Sequence, residues 1–165
     1  MFVIFSTKLG WFGICSGPRG VRRTTMGHPS KSAARKALAA EIELEIEGDP
    51  WDVVSKIVSF SAGERVDLRS VPLDLPPMTS FRSRVLLRCH EIPYGETISY
   101  GQLAQLAGSP QAARAVGSAM SNNPLPILIP CHRVVAANDR LGGFSAPTGL
   151  SLKKQMLRLE ASLPS

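Results

Sequence analysis

The chain has 165 residues, 44% of them hydrophobic, and its 19 Lys and Arg outnumber 13 Asp and Glu, giving a net charge of +6 and a pI near 9.7. That length allows one domain, or a small module joined to a slightly larger one, with a buried core. No apolar run approaches the ~20 residues of a membrane span, the apolar start is too short for a secretory signal, and three cysteines without such a signal predict free thiols in a reducing, cytoplasmic setting, while the basic balance suits a polyanion partner.

Val3–Phe5 and Trp11–Cys15 are short apolar runs, and Gly17-Pro18-Arg19-Gly20 is a turn signal before a third run, Val21–Met26. The pattern predicts a hairpin or three-stranded meander. Ser30–Ala40 is rich in Ala, Lys and Arg and reads as helix. Glu41–Glu47 alternates, with Ile42, Leu44 and Ile46 on one face, and predicts a half-buried strand. Asp49 and Pro50 announce a helix over Trp51–Phe60, with Val54, Ile57 and Val58 at helical spacing and Gly63 at its end. Val66–Leu68 is a short strand candidate. Pro72, Pro76 and Pro77 make Val71–Met78 an extended linker, which divides the chain into an N-terminal domain, 1–76, and a C-terminal domain, 77–165.

Past the linker, Thr79 caps a helix over Ser80–Glu91 with Phe81, Val85 and Cys89 on one face. Cys15, His28, Cys89 and His90 have no recognised metal spacing, so no metal is expected. Ser99 and Gln102 form a capping box for a helix that runs to Ala107 and stops at Gly108. Ser109 and Pro110 open a second helix over Gln111–Asn122, which makes a helix-turn-helix. After Gln111, the small residues Ala112, Ala113, Ala115, Gly117 and Ala119 surround one long cation, Arg114, and few side chains there could read base edges. Such a surface suits close backbone approach to a narrow groove. It equally suits a helix packed tightly on a neighbour.

The segment Pro124–Val135 is an apolar run broken by Pro124, Pro126 and Pro130, which excludes a regular helix or central strand. It reads as a buried, stiff strap leading to Cys131, His132 and Arg133. A thiol becomes a good nucleophile when a base or cation lowers its pKa from about 8.5. Cys131 is then a nucleophile or a packed core thiol, and the local motif leaves both readings open.

Ile92–Thr97, Ser99–Ala104, Ala112–Gly117, Asn123-Pro124 and Pro130–Val134 occur in the order and spacing of the O6-alkylguanine-DNA alkyltransferases, the methylated-DNA–protein-cysteine methyltransferase family, which the chain resembles over Thr79–Ala161. The resemblance implies a two-part α/β protein: a small ribonuclease-H-like N-terminal domain and a mainly helical, winged-helix-like C-terminal one. It implies repair of O6-alkylguanine in double-stranded DNA, approached through the minor groove by a monomer, without cofactor or metal. Cys131 matches the nucleophile, His132 its base acting through a water, Glu160 the carboxylate that orients the base, and Tyr100 the acid for the leaving guanine. Arg114 matches the arginine that fills the stack after base flipping, and Asn123 ties the recognition helix to the active-site turn. Val134, through its carbonyl, and Ser145 line the pocket.

The chain also departs from the family. Phe144 stands where tyrosine is frequent, the 146–149 loop is longer, and Leu86 or Leu87 replaces a tryptophan. Non-repairing alkyltransferase-like proteins carry tryptophan at the nucleophile position, and Cys131 argues against that reading. A helix-turn-helix regulator and a cysteine hydrolase are the remaining rivals.

Overall fold

Three antiparallel strands open the chain in the order β1-β2-β3: β1 (Phe2–Thr7), β2 (Gly10–Gly17) and β3 (Gly20–His28). This is the expected meander, in a computed structural model that describes residues 1–39, 44–137 and 149–161. Side chains alternate across a strand, and both faces of this sheet are covered. Phe2, Ile4 and Cys15 face α1 (Lys31–Leu38), where they pack with Ala34 and Leu38. Val3, Phe12 and Ile14 face the main core. Ser30 caps α1 by accepting from Ala33 N at 3.1 Å.

The proline-rich segment is extended, and it is tied to β3 rather than free. Val21 N donates to Pro72 O at 2.9 Å, and Asp74 N donates to Val21 O at 2.8 Å. Gly20, at φ +141°, permits this approach, because a Cβ there would lie 2.4 Å from Pro72 O. One hydrophobic cluster runs from Phe12, Ile57 and Phe60 before this segment to Val85, Leu103, Ile129 and Met156 after it.

Three N-terminal expectations need correction. Among the described residues of Glu41–Glu47 there is no strand: Glu45 makes a single bridge to Phe2, and Leu44 is 70% exposed. Alternation alone does not supply a pairing edge. Val66–Leu68 is irregular, with only Leu68 buried. The helix α2 (Val53–Ser61) starts later than expected, because Trp51 and Asp52 are left-handed at φ +60° and +56°. Asp49 still caps it by accepting from Ser55 N at 2.9 Å and from Val54 N. Its buried face is Val53, Ile57 and Phe60, whereas Val58 is 40% exposed.

The second half begins with α3 (Ser80–His90), capped by Thr79 and burying Val85, Leu86 and Cys89. A two-residue strand, β4 (Ile98–Ser99), leads into α4 (Tyr100–Leu106). Both bonds of the Ser99–Gln102 capping box are present, at 3.0 and 2.8 Å. The second helix of the motif, α5 (Ala113–Ser121), begins later than Gln111. Ala112 N donates to Ser109 O at 2.9 Å, so Pro110 occupies a β-turn, for which its fixed φ is equally suited. Gln111 and Ala112 therefore precede the helix. A short 3-10 turn, Cys131–Arg133, is followed by β5 (Val134–Val135), which pairs in parallel with β4. That pairing sets the start of α4 beside the Cys131 turn. The last helix, α6 (Leu150–Ala161), covers the turn from behind. Among the described residues, no helix is long and apolar enough to cross a membrane.

Candidate active site

The apolar run before Cys131 folds back on itself instead of running straight. Ile129 N donates to Leu125 O at 2.8 Å, and Ile127 takes a left-handed φ of +71°. Leu125, Ile127, Leu128 and Ile129 are buried, which anchors the turn in the core. Asn123 pins both ends of this fold: its Nδ2 donates to Ile129 O, and its Oδ1 accepts from Leu125 N, each at 2.9 Å. The same side chain hydrogen-bonds to the Cys131 thiol.

Cys131, His132 and Arg133 are all buried, and the last two converge on Glu160 from α6. His132 Nε2 donates to Glu160 Oε2. Arg133 Nε donates to Glu160 Oε1 at 2.6 Å, and Arg133 Nη1 donates to Ile92 O at 2.7 Å. Gly95 N adds a third bond to the carboxylate, at 3.0 Å. Burial alone would raise the pKa of Glu160, but the His132 bond, the nearby charges and this N–H outweigh it and hold the group below its ordinary value. Burial lowers the pKa of His132 more than Glu160 raises it, so the imidazole is kept neutral. Its Nε2 carries the proton given to Glu160, which leaves Nδ1 as the basic nitrogen. That Nδ1 is buried and meets no hydrogen-bonding atom among the described residues.

The thiol departs from expectation. Burial pushes the Cys131 pKa up, and the Asn123 hydrogen bond and the Lys153 charge offset this only in part. The basic neighbours in sequence do not make a resting thiolate, because the dry site penalises the charge more than they repay it. Activation therefore has to come with proton removal.

Lys153 is the residue that sequence reasoning missed. It projects from α6 with no solvent exposure and donates to Val134 O at 2.7 Å. Desolvation lowers its pKa to about 8, while the Cys131 and Cys89 thiols act to raise it. Leu152, Lys153, Met156 and Glu160 form the buried stripe of α6. A lysine set into an apolar helical stripe was the available signal. Lys153 Nζ also lies 5.9 Å from the centroid of the Tyr100 ring, at the first position of α4.

The other sequence-selected residues separate into two groups. Val134 is buried beside the turn. Arg114, Ala115 and Gln111 are exposed, and Ala112, Ala113 and Gly117 are half-buried. A Cβ added to Gly117 would meet no described atom within 4 Å. The face of α5 that packs is Val116, Ala119 and Met120, so Ala119 serves a helix contact, whereas Ala115 and the open side of Gly117 lie at the surface beside Arg114. Ser145 and Phe144 lie outside the described residues. No disulfide links Cys15, Cys89 or Cys131. Cys89 is fully buried on α3, close enough to feel Cys131, and burial raises its pKa strongly. Cys15 sits in the separate cluster under α1, where Arg23 Nη2 donates to its sulfur at 3.3 Å. No group of three or more His, Cys, Asp and Glu able to hold a metal occurs among the described residues.

Comparison with known proteins adds three kinds of finding. Residues 80–162 match the family described as 6-O-methylguanine DNA methyltransferase, DNA binding domain. A methylated-DNA–protein-cysteine methyltransferase of Cricetulus griseus is 35% identical over 96% of this chain and 81% of its own length. A DNA base-flipping protein of Thermus thermophilus is 37% identical over 95% of this chain and 97% of its own. Among solved structures, Mycobacterium tuberculosis OGT in complex with DNA superposes with a TM-score of 0.83 at 32% identity, covering 98% of this chain and 92% of that one.

Proposed function

The chain belongs to the methylated-DNA–protein-cysteine methyltransferase family, and from that premise we propose that it repairs O6-alkylguanine in duplex DNA by moving the alkyl group irreversibly onto its own Cys131. The observation that carries the assignment is the buried Cys131 turn, in which a neutral His132 is held by Glu160 and leaves Nδ1 available.

In this mechanism His132 Nδ1 takes the thiol proton through a water, and the resulting imidazolium is stabilised by Glu160. The sulfur attacks the alkyl carbon in line. A C–S bond forms, the C–O bond breaks, and its electron pair leaves on the guanine. Tyr100 gives a proton to that base as it departs, which neutralises the charge that makes guaninate a poor leaving group. The Lys153 ammonium stabilises the thiolate while the proton is away. The thioether is stable, so each molecule acts once.

Access to the lesion requires flipping the base, at a few kcal/mol. Arg114, exposed and without a partner among the described residues, fills the vacated stack, and the open small-residue face of α5 lies against the minor groove. Val134 lines the alkyl pocket through its carbonyl, and Asn123 fixes the turn to α5. The division into 1–76, ribonuclease-H-like, and 77–165, winged-helix-like, and action as a cytoplasmic monomer complete the proposal.

The test is intact-protein mass spectrometry after incubation with a duplex containing O6-methylguanine. The parent gains the mass of one methyl transfer, and Cys131→Ala does not while still binding the lesion. A methyl gain in the Cys131→Ala variant would remove Cys131 from its role. The 37% identity to a DNA base-flipping protein supports a second reading, lesion binding without repair. It would stand if the parent bound the lesion and gained no mass.

A further inference from the structure

Phe60 comes from the N-terminal half of the chain and reaches the centre of the site. It lies near the end of α2, has no solvent exposure, and follows Val53 and Ile57 on the buried face of that helix. Its ring centroid is 6.2 Å from the His132 imidazole, with the planes at 65°. It is 6.0 Å from the Tyr94 ring, at 79°. The Tyr94 ring in turn sits 5.6 Å from the guanidinium carbon of Arg133. Phe60 therefore packs on one arm of the Glu160 network directly and on the other through Tyr94.

We infer that Phe60 is a positioning residue for the proposed reaction: carried by α2, its ring seals the apolar side of the His132 imidazole and holds its plane, so that Nε2 stays on Glu160 and Nδ1 stays available for a proton. The inference rests on the reading of His132 as the base.

The electrostatic balance at His132 shows what such a seal does. Glu160 favours the imidazolium, whereas Arg133 and Lys153 oppose it. The buried residues of α2, namely Val53, Ile57, Phe60 and Ser61, bring no charge to this side. Desolvation is the largest influence, and it keeps the imidazole neutral. An aromatic ring packed edge to face also restricts rotation of the imidazole, which a Glu160 bond at one nitrogen does not do alone. Take the ring away, and water reaches His132. The pull of Glu160 then prevails and the base is protonated at higher pH.

The experiment compares the full-length parent with Phe60→Ala and Phe60→Leu. NMR titration of 15N-labelled histidine reads the His132 imidazole, and single-turnover methyl transfer is followed against pH. Phe60→Ala should raise the His132 midpoint and carry the acid limb of transfer with it, a roughly tenfold loss of rate there for each unit the midpoint moves. Phe60→Leu, apolar and close in size, should restore the parent midpoint. If Phe60→Ala does not fold, Phe60→Val takes its place with a smaller shift. A folded Ala or Val variant whose His132 midpoint and acid limb equal the parent's would reduce Phe60 to ordinary packing and overturn the inference. Because the titration reads His132 whether or not Cys131 accepts a methyl group, failure here is distinct from failure of the proposed function.

Discussion

The buried ammonium of Lys153 donates to the carbonyl oxygen of Val134 at 2.7 Å, directly behind the Cys131 turn. This bond satisfies one donor of a charge that has been taken out of water. Its placement costs stability: desolvation lowers the Lys153 pKa from 10.5 to about 8. The unfolded chain therefore binds one more proton than the folded chain between those values, and stability rises with pH across that window.

Lys153→Met should separate stability from transfer. Removing a depressed ammonium and keeping the apolar volume relieves a penalty of up to about 3 kcal/mol, offset by the lost bond to Val134 O. The variant should melt no lower than the parent at pH 7, and its rise in stability with pH toward the alkaline side should vanish. Its transfer rate should fall roughly tenfold or more, because the thiolate loses the Lys153 charge that favours it. Denaturant titrations across pH, beside single-turnover rates, check both halves. A variant that is less stable and transfers normally would mean that Lys153 is purely structural.

Removing the carboxylate should act on the base. With Glu160→Gln, the largest influence left on His132 is burial, which already lowers its pKa, so the imidazole stays neutral but loses the group that stabilises its protonated form. Transfer should slow by about 10²-fold or more, in the range of a lost general base. The variant should also fold less stably, since Arg133 loses its buried partner. Rates measured on the folded fraction distinguish the two effects, and full activity per folded molecule would exclude Glu160 from the chemistry.

Arg114→Ala tests base extrusion. If the guanidinium offsets the unstacking cost of a few kcal/mol, repair in duplex DNA should slow on the order of 100-fold. Reaction with free O6-benzylguanine should change little, and a lesion opposite a mismatch should suffer less than a paired one. A phosphate contact would instead weaken all DNA substrates alike and reduce the salt dependence by about one ion. Equal losses on paired and mismatched duplexes would therefore make Arg114 a backbone clamp.

Gly117 offers a test of the docking face that leaves the core untouched. A Cβ there meets no described atom within 4 Å, and alanine favours a helix interior over glycine by about 1 kcal/mol. Gly117→Ala should be at least as stable as the parent. Gly117→Leu should fold equally well and react normally with free O6-benzylguanine, yet bind duplex DNA more weakly. Unchanged duplex affinity would move the interface off this face of α5.

Short-range features were legible in the chain itself. The turn at Gly17–Gly20, the caps at Thr79 and Ser99 and the Cys131-His132-Arg133 run depend on residues within a few positions of one another, so local chemistry decides them. Glu160, 28 positions from His132, came from resemblance and not from any local pattern. What the tertiary structure alone decided is which of these groups are dry. Alternation over Glu41–Glu47 could not reveal that only a single bridge to Phe2 forms in its described part. Helical spacing could not rank Val58 below Phe60. The basic residues after Cys131 suggested a lowered thiol pKa, and long-range packing reversed the sign through burial. Lys153 and Phe60 are ordinary letters in sequence. They belong to the site because α6 and α2, far apart along the chain, enclose the same turn and exclude water from it.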